Sequence, residues 1–149
     1  METISKISLK KEPSEFKKVQ IRSAKDAYDY IKQFYADDIE IFESFFLLLL
    51  NQASQTTGYA KISQGGTAGT VIDIKIIAKY ALDSLSPAVI LAHNHPSGNA
   101  NPSKADKEMT QKIIDALDLF NIKVMDHIIL TKDDFYSFTN NHEINWDKT

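Results

Sequence analysis

The stretch "HNHPSGNANPSKAD" (93–106) contains His93, His95, Ser103 and Asp106, residues whose types and spacing suit metal chemistry. In extended backbone, residues i and i+2 point to the same side. His93 and His95 therefore aim two imidazoles at one point, with Asn94 turned away. Pro96 restricts His95 to extended geometry. The apolar run "AVILA" precedes the pair, so both histidines stand where a buried strand gives way to a loop, a common place for a site.

Asp106 joins them by helical phase. A helix from about 103 to 120 has Met109, Ile113, Leu117 and Phe120 as its buried stripe. Asp106 lies seven residues before Ile113, within roughly 20° of the same direction. It faces inward in the first turn, whereas Glu108 and Asp115 face water. An inward carboxylate needs a partner, because an unpaired buried charge is costly. Two imidazoles around a cation supply one. Two nitrogens and an oxygen, with a fourth position left to water, make the pattern of catalytic zinc. Manganese or iron(II) uses the same set. The same residues also read as a cap, since Ser103-x-x-Asp106 precedes an apolar helix, although Glu or Gln is usual at the last place. That reading explains Ser103 and leaves both histidines without a role.

The elements that must position these groups follow from periodicity. Ser23 caps a helix over 24–36, with Ala27, Tyr30, Ile31 and Phe34 inward. "SFFLLLLN" (44–51) is a strand covered on both faces. "YAKISQGG" (59–66) closes a hairpin-like pair with it. Asp73 caps a second helix carrying Ile74, Ile77, Ala78, Ala81 and Leu82. Residues 88–93 form a short buried strand, 122–130 another, and "FYSF" (135–138) one more. Residues 3–9 are placed as an edge strand with Ile7 and Leu9 inward. The tail from 141, with one Trp, is polar and loosely held. Alternating strands and helices imply an α/β (α+β) fold, a mixed sheet flanked by helices.

Composition sets limits. The chain has 149 residues and no cysteine. One core suffices for that length, and disulfides, Fe–S clusters and cysteine-type zinc sites are excluded. The run "FFLLLL" is too short to span a membrane, and no secretory signal is visible at the N-terminus. A cytoplasmic protein is the default. Net charge is −3, not the basic surplus of a nucleic-acid binder. Lys6, Lys10, Lys11, Lys17, Lys18 and Arg22 cluster locally, interleaved with Glu12 and Glu15, and read as a solvated arm.

His93-x-His95, seven residues, Ser103, two residues and Asp106 resembles the JAMM motif of the JAB/MPN metalloprotease superfamily. "GGTAGTVID", "ILAHNHPSG", "PSKADKEMT", "DHIIL" and "YSF" resemble its RadC branch, in the family's order, over about residues 24–140. The resemblance implies a cytidine-deaminase-like fold over 23–140, between an arm (1–22) and a tail (141–149). It implies zinc on His93, His95 and Asp106, with Ser103 hydrogen-bonding the oxyanion. It also implies a glutamate on an earlier strand that activates water. Glu43, at the mouth of the apolar strand, is placed to shuttle that proton. Glu40 is the rival. Asp126, on a face with Val124 and Ile128, is expected either to orient a ligand histidine from outside the ligand set or to make a structural hydrogen bond. His127 is expected to face the other way as a packed histidine, and His142 to be exposed.

The leading expectation is a zinc-dependent hydrolase of peptide or isopeptide bonds acting on a protein or peptide substrate. A second is a nucleic-acid-processing role. The residues before the first helix are too few for the helix-hairpin-helix module that the RadC branch often carries, which weighs against autonomous DNA binding. A third is a non-catalytic interaction module, ranked last because every motif residue is retained.

Overall fold

An apolar run with no polar break must be covered on both faces. In the computed structural model, which describes residues 1–65 and 71–144, β1 (Glu43–Leu50) is covered that way: every residue after Glu43 is buried. It lies inside a five-stranded sheet of order β2-β1-β3-β4-β5. Strand β2 (Thr56–Gly65) and β3 (Ala88–Asn94) flank β1, both antiparallel to it. Strand β4 (Lys123–Leu130) runs parallel to β3, and β5 (Phe135–Ser137) closes the far edge antiparallel to β4.

Strand alternation divides the core into two layers. Phe45, Leu47, Leu49, Val89 and Leu91 pack with Ile77 and Ala81 of α2 (Ile74–Asp83) and with Ile113 and Leu117 of α3 (Lys104–Asp118). Phe46, Leu48, Leu50, Ile90 and Ala92 pack on the other face with Ala27, Tyr28 and Ile31 of α1 (Ala24–Lys32). The result is a helix–sheet–helix sandwich with a mixed sheet.

Several local expectations need correction. Helix α1 ends at Lys32, and its buried stripe uses Tyr28 rather than Tyr30. The Tyr28 ring stacks on Phe135, while Tyr30 reaches out to donate its hydroxyl to the Lys17 carbonyl. Helix α3 ends at Asp118 and leaves Phe120 half exposed. Asn121 turns the chain through a left-handed conformation (φ 57°), and Ile122 is buried in its place. Residues 3–9 form no strand, and Ile7 and Leu9 are exposed. Their apolar side chains alternate with Lys and Ser, too few to repay the entropy of ordering the backbone. The arm meets the sheet further on, where Val19 O accepts from Thr56 N and Ile21 N donates to Ser54 O. At the other end Ile144 is buried in the α2/α3 core, so the tail is held at least to that point. Trp146 and most of "GGTAGT" lie outside the described residues. No helix among the described residues is long and apolar enough to cross a membrane.

Candidate metal centre

Strand β3 delivers His93 with its ring almost fully buried, stacked parallel to Phe45, its register partner on β1. His95 follows, pinned by its own N–H to the Leu130 carbonyl at the end of β4. The chain then turns through Gly98, whose φ of 89° favours glycine. It returns as the N-terminus of α3, where Ser103 and Asp106 form a reciprocal capping box. Ser103 Oγ accepts from Asp106 N (3.0 Å), and Asp106 Oδ2 accepts from Ser103 N (2.9 Å).

Three potential ligand groups converge at this turn. His93 Nε2 lies 3.1 Å from His95 Nε2, His93 Nε2 is 3.4 Å from Asp106 Oδ1, and His95 Nε2 is 3.3 Å from Asp106 Oδ2. Ligands at the usual zinc distances in a tetrahedral site stand about 3.3 Å apart. The His93–His95 separation is of that size, and the Asp106 carboxylate spans the pair, one oxygen toward each ring. Glu43, half-buried at the start of β1, is drawn into the same group: one oxygen of it and one nitrogen of each histidine lie within 4.8 Å of one another. Glu40 points away, its carboxylate exposed and 3.8 Å from Lys132.

Protonation supports the fit. His95 Nδ1 lies 2.8 Å from the Asn99 carbonyl, which can only accept, so Nδ1 donates and Nε2 of the neutral ring is bare. Burial pushes the Asp106 carboxyl up, but the His93 and His95 rings facing it outweigh that and hold the group well below its ordinary value. Burial pulls His95 down, yet the facing Asp106 carboxylate leaves it raised. A bare imidazole nitrogen facing an ionised carboxylate at 3.3 Å repels unless a cation stands between them. A proton on His95 or a metal ion held by all three groups meets that need.

Asn94 is turned away from the histidines, as alternation requires, yet it serves the site. It is fully buried, accepts from Ser44 N (2.8 Å), and donates to the carbonyls of Ile39 (2.6 Å) and Phe42 (2.8 Å). It thus fixes the turn leading into Glu43. Sequence reasoning passed over it, although a polar residue ending an apolar strand was the available clue.

Asp126 does not orient a ligand histidine, which corrects the first of its two expected roles; it makes the structural hydrogen bonds of the second. It accepts from His127 N, Ser137 Oγ and Thr139 N, and so organises the corner between β4 and β5. Burial raises its pKa, only partly offset by those hydrogen bonds. The cause of the misplacement is a bulge. Val89 pairs with Val124 but Ile90 pairs with Asp126, so Met125 is an extra residue. Val124 then belongs to the α2/α3 face and Ile128 to the α1 face. The contact with a ligand histidine falls to His127, which packs as expected but on the site's side. Its Nε2 lies 2.7 Å from His93 Nδ1, and its Nδ1 lies 2.6 Å from Thr110 Oγ1. Burial holds its pKa well below the ordinary value. His142 is exposed, as expected.

The convergent groups line one wall of a cleft of about 600 Å³. Phe45, Ile72, Ile74, Ala105 and Met109 add apolar lining, and Glu108 and Lys112 add two charged side chains. The chemistry open to this arrangement is that of a cation held beside a carboxylate and a hydroxyl in an open groove of mixed lining.

The model of the RadC-like JAB domain matches residues 21–144, and the chain belongs to that family. Among curated relatives, a UPF0758 protein of Flavobacterium johnsoniae is 39% identical over 119 residues, covering 80% of this chain and 51% of its own. The UPF0758 protein YfjY of Escherichia coli K12 is 43% identical over 96 residues, 64% of this chain and 60% of its own. A UPF0758 protein of Porphyromonas gingivalis is 36% identical over 116 residues, 78% and 50% respectively. The chain spans about half the length of the curated relatives it matches.

Proposed function

We propose that this domain is a metal-dependent hydrolase of peptide or isopeptide bonds, with zinc held by His93, His95 and Asp106. The observation that carries the reading is the convergence of two imidazole nitrogens 3.1 Å apart on one carboxylate, whose Oδ1 lies 3.4 Å from His93 Nε2 and whose Oδ2 lies 3.3 Å from His95 Nε2. Bound zinc supplies Lewis acidity toward a carbonyl oxygen and lowers the pKa of a water in its open position.

The chain's own residues do the rest. Glu43 stands beside both histidines, one oxygen within 4.8 Å of a nitrogen of each, close enough to act as a base that takes a proton from water and returns it to the leaving nitrogen. Ser103 uses its Oγ lone pair to cap α3, so its O–H remains free to donate to an oxygen that gains negative charge. The apolar lining of Ile72, Ile74, Ala105 and Met109 gives the substrate's side chains a surface to rest on. The substrate in this reading is a peptide or protein.

The test is turnover of a peptide and isopeptide library by zinc-loaded protein and by Glu43→Gln. The variant keeps its zinc and loses roughly 10²–10⁴-fold in rate. Absence of stoichiometric zinc in the parent protein, or equal turnover by both proteins, overturns the reading.

A further inference from the structure

The contacts of His93 form a chain with only one consistent direction. Thr110, on α3, places its hydroxyl 2.7 Å from the carbonyl of Asp106. That carbonyl has no proton to give, so the single Thr110 proton points at it. The opposite side of Thr110 Oγ1 can then only accept, and what it meets is His127 Nδ1 at 2.6 Å. His127 therefore carries its proton on Nδ1. Its ring is fully buried between Phe45 and Phe138, and its two nitrogens face a hydroxyl and an imidazole. With no carboxylate on it, the ring is neutral, and Nε2 is a lone pair. That lone pair meets His93 Nδ1 at 2.7 Å, so His93 donates from Nδ1 and its Nε2 is left bare toward Asp106 and His95.

We infer that Thr110, acting through His127, is a tautomer lock that keeps the Nε2 lone pair of His93 free for a metal ion. The lock starts at the carbonyl of Asp106 and ends on His93, so one ligand residue's backbone sets the proton of the other's ring. Neither Thr110 nor His127 is one of the three candidate ligands, and both are positioning residues. The inference rests on the metal reading above for its purpose, but its proton count stands on the hydrogen bonds alone.

Loss of the Thr110 hydroxyl removes the acceptor of His127 Nδ1–H. The proton of His127 is then better placed on Nε2, where it donates to His93 Nδ1 and drives the His93 proton onto the metal-facing nitrogen.

The experiment has two readouts on the full chain. Long-range proton–nitrogen NMR of the histidine rings, recorded without metal across the imidazole titration range, reports the tautomers directly. Wild type shows His93 and His127 protonated on Nδ1. Thr110→Val shifts His93 toward the Nε2–H form, and Thr110→Ser does not. Competition against a chromogenic chelator then gives zinc affinity. Thr110→Val weakens it 10–100-fold, whereas Thr110→Ser and His127→Gln, whose amide can accept from His93 and donate to Thr110, stay close to wild type. His93 protonated on Nε2 in the wild type, or equal zinc affinity of Thr110→Val and wild type, overturns the inference. Wild type that shows the stated tautomers but binds no zinc supports the lock and overturns the metal reading, so the two failures are separable.

Discussion

Asn94 Oδ1 accepts the N–H of Ser44 at 2.8 Å, and the same amide donates to the carbonyls of Ile39 and Phe42. One side chain on β3, between His93 and His95 in sequence, thereby fixes the backbone on each side of Glu43. Asn94→Ala leaves a buried N–H and two carbonyls without this partner, and should cost about 3 kcal/mol or more, read by denaturant unfolding. Asn94→Asp is the sharper variant. Its second oxygen faces two carbonyls, so its folded-state pKa is raised. Stability of that variant is best at acid pH and falls as pH rises through the raised value. A variant equally stable at acid and neutral pH contradicts this role.

Asp106 has two duties, and substitution separates them. Asp106→Asn keeps an oxygen that accepts from Ser103 N but loses the charge facing the histidines. Its metal-free stability should stay within about 1 kcal/mol of the parent, while zinc no longer raises the melting temperature. Ser103→Ala should do the reverse, costing about 1 kcal/mol as a lost cap and leaving zinc-induced stabilisation in place. Calorimetry with and without zinc distinguishes these outcomes. An Asp106→Asn protein stabilised by zinc as strongly as wild type excludes the carboxylate as a ligand.

Asp126 holds the β4–β5 corner through Ser137 and Thr139. Asp126→Ala should destabilise by roughly 2–4 kcal/mol, since it strands a buried hydroxyl and backbone N–H groups. Because burial raises its folded-state pKa, the native state binds a proton more tightly than the unfolded chain. Its contribution is therefore complete below the unfolded value, about 3.9, and declines as pH rises from there to the folded value. Asp126→Asn should flatten the stability–pH curve across that interval. An unchanged curve rules out this linkage.

Gly98 turns the loop between His95 and Ser103 at φ 89°. Gly98→Ala has free space for its methyl, so its cost is backbone strain alone, about 1–2 kcal/mol. The strain falls on the segment whose Asn99 carbonyl holds His95, so zinc affinity should drop with stability. Unchanged affinity in a destabilised variant shows that the loop's conformation does not govern the ligand.

The sequence by itself determined whatever depends on short-range geometry. Period-two alternation put His93 and His95 on one side. Helical phase turned Asp106 inward, and Ser103-x-x-Asp106 named its own cap. The unbroken "SFFLLLL" had to be a doubly covered strand. Each of these is set by backbone repeat over a few residues, and the structure agrees with them.

Tertiary structure alone decided which residues support that set. A bulge at Met125 reversed the expected alternation in β4, taking Asp126 to the β5 corner and bringing His127 against His93. An extra residue in one strand is visible only against the strand it pairs with, because pairing register is a property of two segments. Thr110 gained its place for the same reason: it is one helical turn from Asp106 along the chain, but its hydroxyl meets His127 only once α3 packs on β4. The candidate ligand residues were legible because they are near in sequence. The side chains that orient them come from strands and a helix brought together by burial of the core, and no local repeat encodes that meeting.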